Sequence, residues 1–238
     1  CLQSHTLPHR FSLEVFAGTA RICTALGKEK IQCFPLDICL NPQHDVWQWR
    51  VEHRIFNWIR SGRVQFIWCG MPCTSFSIAR KKDGKGPGPL RSREFLCGLP
   101  NLSPADQKKV SIGNRLLMFS MRLLQLCEHV GIPYILENPE SSLAWSMPPM
   151  QSFLRRFAPF VVGLDYCQFG EPWKKPTQLI SNFDISSLSL RCNTFQQRCS
   201  RTQRPHVPLT GVDDAGIFMT LRAQPYPWQL TALVSALV

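Results

Sequence analysis

The residues best suited to chemistry are a cysteine and a glutamate that each follow a short apolar run. Cys73 comes after residues 64–70, VQFIWCG, and Glu137 after residues 132–136, IPYIL, and both runs predict buried strands. Because parallel strands bring their carboxyl ends to one edge of a sheet, we expect the thiol and the carboxyl to lie together. A thiol is a strong nucleophile and a carboxyl can donate a proton, so the pair predicts nucleophilic addition assisted by an acid.

Each of these residues also has a plain structural interpretation. The chain has 11 cysteines, and most of them can be small buried hydrophobes. A buried carboxylate commonly pairs with an arginine. Cys73 differs from the other cysteines because it follows Pro72 in a tight turn and is followed by hydroxyl side chains. We therefore put the catalytic interpretation first and leave the structural one open.

The elements around this pair predict an α/β domain. Residues 12–16 form a strand, residues 17–20 a turn that contains Gly18, and an apolar-periodic helix follows to residue 27. A second strand, residues 31–36, ends at Asp37, whose carboxylate can accept hydrogen bonds from ribose hydroxyls or cap a loop. Further helices are predicted from the apolar periodicity of the segments 47–59, 103–130 and 225–238.

Composition restricts the class of protein. Lys and Arg number 27 against 16 Asp and Glu, and the formal net charge of +11 favours a polyanionic partner. The chain shows no signal-peptide pattern and no apolar run long enough for a membrane span, so we expect a soluble intracellular protein. The cysteines lack the spacing of a disulfide framework, which favours a reducing compartment.

Two motifs resemble those of the cytosine-C5 DNA methyltransferases. The segment GMPCTSFS, residues 70–77, is similar to the nucleophile motif of that family, and Glu137-Asn138-Pro139 is similar to its Glu-Asn-Val motif, from which Pro139 departs. The resemblance implies the class I S-adenosylmethionine-dependent methyltransferase fold, a doubly wound, mostly parallel α/β sheet with a small target-recognition-like insertion. The chain resembles a compact, divergent member, like those of phages or mobile elements.

The same resemblance implies S-adenosylmethionine as the cofactor. The turn after the first strand would wrap its methionine part, Asp37 would bind its ribose and Asp45 its adenine amine. The expected cofactor-binding residues are Phe16, Ala17, Gly18, Thr19, Asp37, Asp45 and Pro72. The turn departs from the family pattern because Glu14 replaces an Asp and a single glycine stands where two or three are common.

The resemblance also implies contacts with DNA. In the family, the loop after the nucleophile closes over the duplex, and basic residues there would bind phosphates. The expected DNA-binding residues are Ser77, Arg80, Lys81, Lys82, Arg91, Arg93 and Lys174. Residues 169–177 resemble the eighth family motif, with Lys175 at its first Arg position and Thr177 at its second. Lys175 is therefore the third expected catalytic residue, as a source of positive charge for the cytosine.

The implied catalytic domain comprises residues 11–182 and 212–238. Between them lies a short target-recognition-like region, residues 183–211. Cys192, Cys199 and His206 in this region are candidate ligands of a structural zinc ion, with Cys167 as a possible fourth ligand. Unpaired cysteines are the alternative.

The implied activity is that of a DNA (cytosine-5)-methyltransferase. The Cys73 thiolate would add to C6 of a flipped cytosine, and C5 would then accept the methyl group. One alternative is a catalytically inactive homologue that still binds nucleic acid, and another is an RNA cytosine-C5 methyltransferase. If the source is eukaryotic, we expect a nuclear location.

Overall fold

A six-stranded sheet forms the centre of the protein. The computed structural model describes residues 9–78, 88–194, 196 and 198–238. The strands are β1 (Phe11–Val15), β2 (Cys33–Leu36), β3 (Val64–Gly70), β4 (Tyr134–Pro139), β5 (Phe160–Asp165) and β6 (Pro176–Ser181). Their order is β2-β1-β3-β4-β6-β5, and every pairing is parallel except the two that β6 makes. The predicted α/β fold with a mostly parallel sheet is confirmed.

Helices cover both faces of this sheet. The helices are α1 (Arg21–Lys28), α2 (Trp49–Arg60), α3 (Pro104–Val130), α4 (Pro148–Phe157), α5 (Met219–Arg222) and α6 (Trp228–Leu237). Apolar residues of α1 and α6 pack with Phe66 and Trp68 of β3, whereas those of α2, α3 and α4 share a core with Ile67 and Cys69. Successive residues of a strand point to opposite faces, so β3 is buried on both sides. No helix among the described residues is both long and apolar enough to cross a membrane.

The ends of the long helix α3 follow from local sequence. The Ser103 hydroxyl accepts a hydrogen bond from the Asp106 amide, and Pro104 occupies the first helical position. Gly131 ends the helix at φ +72°, a left-handed conformation that glycine adopts with little strain. These signals place α3 where the sequence predicts it.

Because β6 runs antiparallel to its neighbours, its first residues lie at the sheet edge where β3 and β4 end. The first residues of β6, and not its last, lie beside the carboxyl ends of β4 and β5. The β5–β6 hairpin, residues 166–175, therefore opens onto the same edge as the turn of Cys73. The chain later returns along β5, where Leu190 O accepts from the Asp165 amide and the Cys192 amide donates to Asp165 Oδ2, at 2.9 and 2.8 Å.

One pair of cysteines forms a bond that the sequence did not predict. Cys23 in α1 and Cys33 in β2 form a disulfide, with 4.9 Å between their Cα atoms. The helix packs back on the neighbouring strand, so two residues ten positions apart face each other. The free cysteines among the described residues are Cys39, Cys69, Cys73, Cys97, Cys127, Cys167, Cys192 and Cys199.

Candidate active site

The turn that carries Cys73 starts directly at the end of β3. The Phe76 amide donates to Cys73 O at 2.9 Å, which closes the turn and leaves the Cys73 thiol half-buried. Asn138 at the end of β4 donates from Nδ2 to Met71 O at 2.7 Å. The side chain of Asn138 is fully buried, so β4 fixes the backbone two residues before the nucleophile. Pro72, expected to contact the cofactor, lies half-buried in the same turn.

The buried side chain of Arg91 supports this turn and is not available to DNA. Its guanidinium donates to Ser75 O and Ser75 Oγ, both at 3.0 Å, and to carbonyl or amide oxygens of Leu96, Val110 and Asn114. Only 4% of Arg91 is exposed, and burial lowers its pKa to about 10. The prediction of Arg91 as a phosphate contact is wrong, because its donors are used inside the protein.

Glu137 reaches the site from β4, where it pairs with Gly70 of β3. It is 6% exposed, and its Oε2 accepts a hydrogen bond from the Tyr226 hydroxyl at 3.3 Å. The other oxygen, Oε1, is buried and has no hydrogen-bond partner among the described residues. Burial raises the pKa of Glu137, and the positive charge of Lys175 and the Tyr226 hydrogen bond lower it by less. The carboxyl therefore keeps its proton to higher pH than an ordinary glutamate does.

Glu137 and Lys175 are close enough to Cys73 to alter the protonation of its thiol. Burial and the negative charge of Glu137 raise the pKa of the Cys73 thiol, whereas the positive charge of Lys175 lowers it. Lys175 is held in place by Ala223 O, which lies 3.0 Å from Nζ, and by the ring of Tyr166, whose centre lies 4.5 Å from Nζ. The three residues expected to be catalytic thus lie within electrostatic range at one sheet edge.

The turn after β1 is shaped for close approach. Phe16, Gly18 and Ala20 have φ values of +60°, +52° and +53°, so alternate residues of the turn are left-handed. Gly18 and Thr19 are exposed, and nothing lies within 4 Å of the position that a Cβ on Gly18 would occupy. Asp37 Oδ2 accepts from the Gly18 amide at 2.9 Å. Asp37 therefore fixes this turn from the end of β2, an arrangement that sequence spacing alone does not give.

The buried side chain of Glu14 in β1 lies at the N-terminus of α1. It is fully buried, and its carboxylate accepts from the amides of Ile22 and Cys23 at 3.3 and 2.8 Å. Burial raises its pKa to about 7, and these two backbone bonds oppose the shift. Glu14 therefore satisfies helix amides that would otherwise be free to bind an anionic ligand.

An apolar rim follows β2 and borders the second expected cofactor carboxylate. Ile38 and Leu40 are 57% and 48% exposed. Asp45 Oδ1 accepts from the Trp47 amide at 2.9 Å, which stabilises the loop between β2 and α2. Exposed aliphatic side chains beside carboxylates suit a ligand with a flat ring and hydroxyl groups.

The residues expected to contact DNA fall into different environments. Arg93 is exposed and Ser77 is half-buried. Lys174 lies 3.1 Å from Cys192 O and 3.9 Å from Asp165 Oδ2, so its charge is partly used within the protein. The expected contacts Arg80, Lys81 and Lys82 lie outside the described residues.

Two tyrosines complete the site and were missed from the sequence. Tyr226 precedes α6, packs edge-on against Trp68 with 5.0 Å between ring centroids, and donates to Glu137. Tyr166 follows β5, and its fully buried hydroxyl lies 3.5 Å from Lys175 Nζ. The tyrosine between Pro225 and Pro227 carries no spacing signal, because only the packing of α6 brings it 89 residues back to Glu137.

The four candidate metal ligands also lie together. Cys167, Cys192, Cys199 and His206 place one ligand atom each within 4.8 Å of all the others. Cys167 belongs to the β5–β6 hairpin, and the other three come from the predicted target-recognition-like region.

Comparisons with known proteins add a weak similarity of fold. No protein-family model and no curated protein matches the chain. Among solved structures, the crystal structure of the S. pombe Dnmt2 methyltransferase aligns with 16% sequence identity and a TM-score of 0.39. The alignment covers 82% of this chain and 58% of that one. A similarity at this level assigns neither a family nor an activity.

Proposed function

We propose that this protein is an S-adenosylmethionine-dependent DNA (cytosine-5)-methyltransferase. The observation that carries the proposal is that Glu137 and Lys175 both lie within electrostatic range of the Cys73 thiol at the carboxyl edge of the sheet, and Lys175 also within range of Glu137. A half-buried thiol, a carboxyl with a raised pKa and a fixed cation are the groups that addition to a cytosine ring requires.

The raised pKa of Glu137 suits a proton donor, and the chemistry begins at the thiol. The Cys73 thiol loses its proton to solvent, and the thiolate sulfur adds to C6, which breaks the C5–C6 double bond and moves an electron pair to C5. The proton on Glu137 goes to N3 of the ring, or is shared with it, and so stabilises the adduct. C5 then takes the methyl group as the methyl–sulfonium bond breaks and its electron pair stays on the cofactor sulfur. C5 loses its proton to solvent, the C5–C6 double bond forms again, the Cys73 sulfur leaves C6 as a thiolate, and the N3 proton returns to Glu137. Lys175 favours the step because its charge stabilises the thiolate.

The residues along the edges of β1 and β2 fit the cofactor. The open turn at Gly18, the Asp37 carboxylate and the apolar rim of Ile38 and Leu40 lie on consecutive strand ends. A carboxylate has about four acceptor positions, so Asp37 can accept from ribose hydroxyls while it keeps the Gly18 amide. The cofactor supplies an electrophilic methyl group on a sulfonium.

DNA as the substrate is supported by charge. The net charge of +11 favours a polyanion, and Arg93 offers an exposed guanidinium beyond the nucleophile turn. A base inside a duplex cannot reach a half-buried thiol, so the cytosine must be flipped out, at a cost of a few kcal/mol.

The test is covalent trapping on a duplex in which 5-fluorocytosine replaces the target cytosine. Fluorine cannot be removed as a proton, so the adduct between sulfur and C6 should persist after methyl transfer. We expect a DNA–protein complex that is stable to denaturing electrophoresis, depends on S-adenosylmethionine and disappears in Cys73→Ser. Cys97→Ser is the matched control, because Cys97 is a free, exposed cysteine in another part of the chain, and should trap fully.

Three outcomes contradict the proposal. Trapping that persists in Cys73→Ser would remove the nucleophile assignment. Trapping on single-stranded RNA but not on DNA would assign the RNA activity instead. Tight DNA binding without heat of binding for S-adenosylmethionine in calorimetry would indicate an inactive nucleic-acid-binding protein.

A further inference from the structure

A cluster of three cysteines and a histidine joins the β5–β6 hairpin to the segment that follows β6. Cys167, Cys192 and Cys199 are 1%, 5% and 2% exposed, and His206 is half-buried at the surface of the cluster. The three cysteines are free thiols. They contact one another apart from the two larger apolar cores, so general hydrophobic packing does not account for their position.

Two distances between the ligand atoms match those of a tetrahedral zinc site. Zinc–sulfur bonds of about 2.3 Å and zinc–nitrogen bonds of about 2.0 Å at tetrahedral angles place two sulfurs about 3.8 Å apart, and a sulfur and a nitrogen about 3.5 Å apart. The Sγ atoms of Cys192 and Cys199 are 3.9 Å apart, and Cys192 Sγ lies 3.6 Å from His206 Nε2.

Hydrogen-bond donors surround the sulfurs, as expected around metal thiolates. The Ser200 amide and hydroxyl point at Cys192 Sγ at 3.5 and 3.6 Å. Gln168 Nε2 lies 3.5 Å from Cys167 Sγ and 3.8 Å from Cys199 Sγ. Such outer donors orient thiolate ligands and offset their negative charge.

We propose that Cys167, Cys192, Cys199 and His206 bind one structural Zn²⁺ ion. Three soft sulfur ligands and one imidazole favour zinc over magnesium or calcium, and four protein ligands leave no open position for catalysis. Binding releases the thiol protons to solvent, so the ion holds three thiolates and one neutral imidazole. The inference does not depend on the proposed methyltransferase activity.

The ion attaches the segment 192–206 to the hairpin that carries Lys175. Around the cluster, Arg201 Nε donates to Cys167 O at 2.6 Å and the Val207 amide donates to Pro172 O at 3.0 Å. Lys174 reaches Cys192 O across the same junction. The zinc site therefore ties the hairpin to the segment after β6, while Tyr166 and Ala223 contact the Lys175 amine and fix its position.

The test measures metal content on the whole chain. We expect the protein, purified from zinc-containing medium and dialysed, to carry about one zinc per chain by mass spectrometry of the metal. Cys199→Ser and His206→Gln should lose the metal, whereas Cys73→Ser and Cys97→Ser should keep it. The two controls separate this site from the proposed nucleophile and from an exposed thiol.

Two readouts need no variant and therefore do not depend on variant folding. Replacement of zinc by Co²⁺ should give the intense sulfur-to-cobalt charge-transfer band of a thiolate site with tetrahedral d–d bands. Removal of zinc by a chelator should lower Tm and increase hydrogen exchange of the segment 192–206. Absence of zinc from the wild-type protein, full zinc in both ligand variants, or a Cys192–Cys199 disulfide in its place would overturn the proposal.

Discussion

The hydroxyl of Tyr226 lies 3.3 Å from Oε2 of Glu137, and it comes from the far end of the chain. It is the one protein hydrogen bond that the Glu137 carboxyl makes among the described residues, because Oε1 has no partner. The bond stabilises the ionised carboxylate and so works against the effect of burial on the pKa. Glu137 is thus held in orientation by a donor that leaves one oxygen available to a ligand.

Tyr226→Phe should lower the rate of methyl transfer several-fold, because a single hydrogen bond contributes about 1 kcal/mol. The loss of the donor raises the pKa of Glu137. Since the proposed role requires a protonated Glu137, the high-pH limb of the kcat profile should move to higher pH. A rate loss without a shift of this limb would contradict a role of the Tyr226 hydroxyl in setting the protonation of Glu137.

Gly113→Ala tests the packing of α3 against the nucleophile turn. A Cβ at Gly113 would overlap Ser75 Oγ and press on the Arg91 guanidinium and the Phe76 ring. We expect a loss of about 1–3 kcal/mol in the free energy of unfolding, measured with urea. Gly27→Ala in α1 is the matched control, because nothing lies within 4 Å of its Cβ position. It should be neutral or stabilising by up to about 1 kcal/mol.

Glu14 should make the stability of the protein depend on pH. Its pKa rises from 4.5 to about 7 in the folded state, so between these values the native state binds more protons than the unfolded state. The contribution of Glu14 to stability must therefore fall as pH rises through this window, by up to about 3 kcal/mol, with no further loss above it.

Glu14→Gln removes the titrating group, so the variant should gain stability relative to wild type as pH is raised from about 5 to about 8. Urea unfolding at several pH values measures the difference. Glu29→Gln, at the exposed end of α1, should follow the wild-type curve. Parallel curves for wild type and Glu14→Gln would contradict the raised pKa.

Arg91 and Arg93 should respond differently to substitution although they are neighbours. Arg91→Met keeps the length of the side chain but leaves the buried oxygens around Ser75 and Val110 without a donor, so it should cost at least about 2 kcal/mol of stability. Arg93→Ala should leave urea unfolding unchanged and reduce the salt dependence of DNA binding. Equal stability of both variants would contradict the structural role of Arg91.

The sequence predicts the framework of the fold well because its signals are local. The apolar run of β3, the capped start of α3 and the glycine at its end need no tertiary information. The juxtaposition of Cys73 and Glu137 follows from the general rule for parallel strand ends. Cys167 lies just before residues 169–177, which resemble the eighth family motif, and close in sequence to the target-recognition-like region. Its position beside Cys192 and Cys199 is therefore also predictable from the sequence.

The other features depend on contacts between distant parts of the chain. Arg91 looks like its basic neighbours in sequence and becomes structural only because α3 and the nucleophile turn enclose it. Cys23 and Cys33 pair only because α1 folds back on β2. Tyr226 reaches Glu137 through the packing of α6 on α1, which includes Arg21 over the Trp228 ring at 4.7 Å. Composition and hydrophobic periodicity therefore do not predict these contacts.

The reversed direction of β6 places the β5–β6 hairpin at the same sheet edge as Cys73 and Glu137. A hairpin that leaves and re-enters the sheet at one edge can be lengthened or exchanged while strand order and the cores on both faces stay intact. The thiol and carboxyl are carried by neighbouring parallel strands, whereas the lysine is carried by the exchangeable hairpin. Lengthening the β5–β6 hairpin while keeping Cys167 and Lys175 should therefore alter which base or flanking sequence the proposed enzyme accepts, without rebuilding the reactive pair.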